Sequence, residues 1–133
     1  MSTLVDTNVL LDIATRDPVW ATWSLGQLDA AAIRGPLVIN DVIYAELSVR
    51  YGRIEDLNAF VEMAGLVQQP MRRAALFLAG KVFQTYRAAG GVRNGVLADF
   101  FIGAHAAVEG LVLLTRDVHR YRTYFPKLTL VAP

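Results

Sequence analysis

The chain has 133 residues, 54% hydrophobic and 19% charged, which excludes a disordered or collagen-like polypeptide and suits one domain spanning residues 1–133. It contains no cysteine, which excludes a disulfide framework, a thiolate nucleophile and any Cys-based zinc or iron–sulfur site, and fits a reducing, cytoplasmic setting. The net charge of +1 conceals an asymmetry: residues 1–69 carry four basic and nine acidic side chains, residues 70–133 nine basic and three acidic.

Met1-Ser2-Thr3 runs directly into Leu4-Val5-Asp6 without the basic and unbroken apolar regions of a secretory leader, so export is not expected. Thr3-Leu4-Val5 reads as a short buried strand, followed by a helix through Val9 to Ile13 that Thr7 or Asn8 can cap. A second helix is expected from Asp17, with Pro18 at its first position, to about Arg34, where Gly35-Pro36 stops it. Leu37-Val38-Ile39 is a second strand, and Asn40 or Asp41 caps a third helix reaching about Arg50.

Ile54 to Ala64 forms a fourth helix closed by Gly65, and Leu66-Val67-Gln68 a third strand. Met71 to Ala89 is a long helix ended by Gly90-Gly91, and Val96 to Glu109 another ended by Gly110. Leu111 to Thr115 and Leu128 to Val131 are the last two strands. The stretch from Val96 to Leu114 is not a membrane span, because it contains Asp99, His105 and Glu109, and an Asp near a helix centre costs roughly 2.5–3.5 kcal/mol there. Short apolar strands alternating with helices predict a parallel sheet covered on both faces. In such folds ligands bind beyond the carboxyl ends of the strands.

Four carboxylates stand out on that frame. Asp6 directly follows the first strand, as a helix cap or turn residue or as a site carboxylate. Glu46 projects between Val42, Ile43 and Val49 in the apolar arc of its helix, which implies either a salt bridge to a structural arginine or a functional role. Asp99 sits in a helix that is apolar on every side, where it either takes advantage of the helix dipole or serves a buried site. Asp117 lies two residues beyond a strand, as the cap of a short helix or as a fourth edge carboxylate.

Carboxylates gathered at one edge repel one another unless protons or cations intervene, and an all-oxygen donor set suits magnesium or manganese. The two histidines do not form a ligand pair: His105 is expected to contact Glu109 one turn on, and His119 adjoins Arg120. Eleven of the thirteen cations are arginines, which pair bidentately with phosphate. Arg72, Arg73, Arg87, Arg93, Arg116 and Arg120 are therefore candidates for contacts with a polyanionic partner, a nucleic acid or an acidic protein, against the alternative of an ordinary solvated surface. A hard cation held by carboxylates beside a basic surface is suited to phosphodiester hydrolysis.

Leu4-Val5-Asp6-Thr7-Asn8-Val9-Leu10-Leu11-Asp12 resembles the opening of PIN domains, in particular the VapC-type toxin ribonucleases of toxin–antitoxin pairs. Ile39 to Leu47, Leu97 to Ala106, and Leu113-Leu114-Thr115-Arg116-Asp117 are similar to the second, third and fourth motifs of that family, and Tyr124 to Pro133 to its last strand. The resemblance covers the whole chain in order. It implies a three-layer α/β/α fold and a magnesium- or manganese-dependent endoribonuclease with Asp6, Glu46, Asp99 and Asp117 as metal-binding acids. It also implies Asn8 and Thr115 as polar neighbours, a homodimer, and a cognate antitoxin whose C-terminal segment covers the groove.

Two other classes remain to be weighed. A phosphoryl-transfer enzyme could use strand-end aspartates, but Asp6-Thr7-Asn8 lacks a second carboxylate two residues on, and no Gly-x-x-x-x-Gly-Lys loop is present. A non-catalytic PIN-fold module that binds RNA or a partner would keep the fold without the activity.

Overall fold

The computed structural model describes residues 1–92 and 96–133. In chain order the elements are β1 (Thr3–Val5), α1 (Thr7–Ala14), α2 (Ala21–Arg34), β2 (Leu37–Ile39), α3 (Asp41–Ser48), α4 (Ile54–Met63) and β3 (Leu66–Gln68). They continue with α5 (Arg73–Ala88), α6 (Leu97–Glu109), β4 (Val112–Leu114), α7 (His119–Tyr124) and β5 (Leu130–Val131). The five strands form one sheet in the order β3-β2-β1-β4-β5, every pairing parallel. Thr3 pairs with Leu37 on one side and Val112 on the other, which puts β1 in the centre.

Every residue of β1, β2 and β4 is buried, so both faces of the sheet centre are covered by helices, as the continuous apolar runs require. At the β3 edge this burial stops, and Val67 is 56% exposed. Among the described residues no helix is long and apolar enough to cross a membrane.

The expected elements all form, with shifts at their ends that have local causes. Helix α2 begins at Ala21 rather than Pro18, because the Asp17 carboxylate accepts from the N–H groups of both Val19 and Trp20 at 2.9 Å and holds a separate turn first. Helix α1 is capped by Asp6, not Thr7 or Asn8. Helix α3 ends at Ser48, leaving Val49 84% exposed and outside the apolar arc drawn around Glu46. Arg73, not Met71, opens α5, and β5 is two residues shorter than Leu128 to Val131. Gly110 ends α6 in the left-handed region at φ 67°, and Gly65 follows α4 at φ 70°, both as expected of helix-terminal glycine.

Helix α6 packs along α5 through aromatic contacts that join Phe83, Tyr86 and Phe100, with Tyr124 of α7 edge-on to Phe100 at 5.2 Å between centroids. Gly103, in the buried middle of α6, admits the ring of Phe125 where a Cβ would stand. Gly80, on the exposed side of α5, has open space at that position. Gly103→Ala should therefore destabilise the fold by about 1–3 kcal/mol through overpacking. Gly80→Ala should stabilise it by up to about 1 kcal/mol. Urea melts of both variants check the pair, and equal midpoints would contradict the packing described.

Candidate acidic site at the carboxyl edge of the sheet

Asp6 stands at the carboxyl end of the central strand, and its N–H donates to the Leu114 carbonyl at 2.9 Å, fixing it against β4. Its side chain is 4% exposed. Oδ1 accepts the Thr7 N–H at 2.7 Å, while Oδ2 accepts the hydroxyls of Thr115 at 2.8 Å and Tyr121 at 2.9 Å. Burial nevertheless prevails over these donors, and with repulsion from Asp99 it lifts the Asp6 carboxyl to a pKa of about 6.

Glu46 reaches the same region from α3. Its Oε1 accepts the Thr7 hydroxyl at 2.6 Å, and burial, reinforced by Asp99, raises its pKa despite that bond. Asp99 lies in the first turn of α6, where Oδ2 accepts Arg120 Nη1 at 2.5 Å. Burial again prevails and raises Asp99, opposed by Arg120 and by the Tyr121 hydroxyl and aided by the charge of Asp117. Asp117 is exposed at the rim, its Oδ1 accepting the His119 N–H at 3.3 Å in the turn into α7.

Asp99 is thus the common electrostatic neighbour, repelling Asp6 and Glu46 and repelled by Asp117. Among the described residues, no group of three or more His, Cys, Asp or Glu is gathered tightly enough to hold an ion as it stands.

The two auxiliary polar residues hold the loop after β4. Asn8 Oδ1 accepts the Arg116 N–H at 3.2 Å and its Nδ2 donates to Thr115 Oγ1 at 3.4 Å, so the hydroxyl that bonds Asp6 is itself oriented. The phenol of Tyr121, 2% exposed, is pushed far above its ordinary pKa by burial and by Asp6, Asp99 and Glu46, which keeps it a donor.

Three polar arrangements were not foreseen. Asp12 is 3% exposed and takes both Nε and Nη2 of Arg116 at 2.6 and 2.9 Å, with the Ser24 hydroxyl at 2.7 Å. A carboxylate inside the apolar run Val9 to Ile13 was a readable sign of such a pair. Tyr121 gave no sign, since a tyrosine after Asp117 is equally suited to the core. The contact expected between His105 and Glu109 is replaced: Glu109 takes Arg72 bidentately at 2.7 and 2.8 Å. His105 Nδ1, fully buried, instead accepts Asn40 Nδ2 at 3.0 Å.

Of the six arginines, Arg72, Arg116 and Arg120 are engaged with Glu109, Asp12 and Asp99. Arg73 and Arg87 are exposed without an ion pair among the described residues, and Arg93 lies outside those residues.

The raised carboxyls make the site a source of instability at neutral pH. Below pH about 4 Asp6 is protonated in both folded and unfolded chains. Above its folded value of about 6 it is ionised in both, and this group alone lowers stability by about 3 kcal/mol relative to acid. Asp99→Asn removes the shared repulsion. In chelator at pH 7.5 it should melt above the wild type, the difference closing as pH falls toward 4. A variant melting below the wild type at pH 7.5 would show that the Arg120 pair and the helix dipole outweigh the repulsion.

The sequence matches the PIN domain family over residues 3–126. No curated protein sequence matches the chain. Among solved structures it is similar to VapBC2 from Rickettsia felis, which is bound to a promoter DNA fragment, with a TM-score of 0.76 and 18% identity over 100% of this chain and 99% of that one. VapBC-1 from nontypeable Haemophilus influenzae aligns with a TM-score of 0.71 and 19% identity, covering 99% of this chain and 98% of that one. A toxin–antitoxin complex from Klebsiella pneumoniae aligns at 0.66 with 19% identity, covering 97% and 95%. The match over nearly its whole length shows that the chain belongs to the PIN-domain family.

Proposed function

We propose that this chain is a metal-dependent endoribonuclease of the VapC type, the toxin of a type II toxin–antitoxin pair, formed by one PIN domain over residues 1–133. The observation that carries the reading is the meeting of Asp6 and Glu46 on Thr7 at the carboxyl edge of the sheet, with Asp99 near enough to repel both and Asp117 near enough to repel Asp99. The toxin role and a cognate antitoxin partner are supported by the likeness to VapBC complexes and to a toxin–antitoxin complex. A cytoplasmic homodimer acting on RNA completes the proposal.

The donor set fits a hard divalent cation. It is all oxygen, and protein donors orient three of its carboxylates, Glu46 through Oε1, Asp99 through Oδ2 and Asp6 through both oxygens. No donor among the described residues is paired with Glu46 Oε2, Asp6 Oδ1 accepts only the Thr7 N–H, and Asp99 meets the Tyr121 hydroxyl besides Arg120. Asp6, Glu46, Asp99 and Asp117 would hold magnesium or manganese. When bound, such an ion supplies neutralisation of the phosphodiester charge and acidification of an attacking water.

The chain's own residues do the positioning. Thr7 joins Asp6 to Glu46, giving its N–H to one and its hydroxyl to the other. Thr115, oriented by Asn8, fixes the second oxygen of Asp6. Arg73 and Arg87, exposed on and near the ends of α5, are the RNA phosphate contacts with least internal competition among the arginines considered. The hold of Arg120 on Asp99 is the observation that favours the alternative, a PIN-fold module that binds RNA or a partner without cleaving it.

Cleavage of single-stranded RNA with and without manganese separates the two. Asp6→Asn, Glu46→Gln, Asp99→Asn and Asp117→Asn should each lower cleavage by at least about 100-fold, a loss of about 2.7 kcal/mol or more of transition-state stabilisation. Asp29→Asn and Asp56→Asn, both at exposed positions, should retain activity. Full activity in Asp99→Asn would refute the assignment. For binding, neutralising Arg73 or Arg87 should flatten the log–log salt dependence by about 0.7 per lost phosphate contact. An unchanged slope in both variants would remove them from the RNA surface.

A further inference from the structure

Tyr121 lies on α7, the six-residue helix that follows the Asp117 turn. Its ring belongs to the core, and its hydroxyl, buried with it, donates to Asp6 Oδ2 at 2.9 Å. The same oxygen accepts the Thr115 hydroxyl at 2.8 Å. A carboxylate oxygen offers two lone pairs, so protein donors fill Oδ2. Oδ1 accepts only the Thr7 N–H at 2.7 Å and keeps one lone pair. The preceding residue, Arg120, donates to Oδ2 of Asp99, a carboxylate that the Tyr121 hydroxyl also approaches, so two consecutive side chains of α7 hold the two carboxylates between them.

Packing alone does not require the Tyr121 hydroxyl, since a phenyl ring would fill the same apolar space. A buried hydroxyl needs a partner, and this one meets the most deeply buried carboxylate of the candidate site. Held at Oδ2 from two directions, the Asp6 carboxylate cannot turn about its last bond without breaking both contacts.

We propose that Tyr121 is a positioning residue of the cation site: with Thr115 it fixes Asp6 so that Asp6 offers a divalent cation one oxygen, Oδ1. The inference rests on the reading of Asp6 as a cation ligand. Loss of such an outer hydrogen bond to a ligating carboxylate typically weakens metal binding by about 10–100-fold.

The test is a manganese titration of purified protein followed by thermal melts and by calorimetry, with Tyr121→Phe, Thr115→Val and Tyr124→Phe beside the wild type. Tyr124 belongs to the aromatic cluster with Tyr86 and Phe100, and its variant removes a hydroxyl from the same helix. Tyr121→Phe should fold and require about 10–100-fold more manganese for half-maximal stabilisation. At saturating manganese its KM for RNA and its kcat should both return to the wild-type values. Tyr124→Phe should match the wild type.

A manganese midpoint in Tyr121→Phe equal to the wild type overturns the inference, even where the variant melts lower in chelator, because the hydroxyl then serves the fold alone. Should Tyr121→Phe not fold, Thr115→Val removes the other donor to the same oxygen, and an unchanged midpoint there overturns the inference equally. A wild type indifferent to manganese overturns the cation reading and the role of Tyr121 with it. That outcome is distinct from a wild type and a Tyr121→Phe protein that respond alike.

Discussion

A carboxylate buried at the end of the central strand is the constraint on which the rest of the molecule depends. Asp6 is 4% exposed, and its N–H extends the ladder to Leu114 one residue beyond β1, so neither backbone nor side chain can move it to water. An ionised group so placed requires donors, and they arrive from three separate segments: Thr7 from α1, Thr115 from the end of β4, and Tyr121 from α7. Their combined effect does not offset burial, since the carboxyl still stands at about 6. The group also caps α1 and satisfies two buried hydroxyls, yet a carboxylate held in so dry a position against its own ionisation is the kind of group that marks a candidate site.

The topology explains why the donors and the other carboxylates meet there. The chain builds the sheet from β1 outward through β2 to β3, then crosses back to lay β4 and β5 on the opposite side of β1. At β1 and β4 the strand order reverses, the place where sheets of this kind bind their ligands. Asp6 follows one of these strands, and Thr115 to Asp117 follow the other. Glu46 and Asp99 come on helices α3 and α6, Glu46 through Thr7 and Asp99 through its field on Asp6. Parallel strands bring their carboxyl ends to one edge, so residues separated by more than 100 positions, such as Thr115 and Asp6, become neighbours.

This edge is also why much of the site was legible in the sequence. Charges at the ends of apolar runs, Asp6 after Leu4-Val5 and Asp117 after Leu113-Leu114-Thr115, are conspicuous because strands in a covered parallel sheet carry almost none. Asp99 was visible for the same reason inside its apolar helix. The partners of these charges were not legible, because pairing is set by the angles at which helices cross the sheet and not by spacing along the chain. Arg120 and Asp99 lie 21 positions apart, and Arg116 and Asp12 lie 104 apart. Element ends shifted where a side chain competed with the helix, as Asp17 does by taking the N–H groups of Val19 and Trp20.

The charge asymmetry takes a different meaning once these partners are known. Arg116 and Arg120 pair across the chain with Asp12 and Asp99, and Arg72 with Glu109, so part of the positive excess of residues 70–133 is already neutralised by carboxylates. A phosphodiester approaching the candidate site would meet the like charges of Asp6, Glu46, Asp99 and Asp117, which repel it. Under the proposed function, RNA binding and cation binding are therefore one linked equilibrium: each makes the other more favourable by cancelling charge at the same edge. Arg120 is placed within that equilibrium, because its guanidinium occupies an oxygen of Asp99, the carboxylate to which the other three are coupled. The surface arginines then govern how strongly RNA is held, while the buried carboxylates and their donors govern whether its phosphodiester can enter the site.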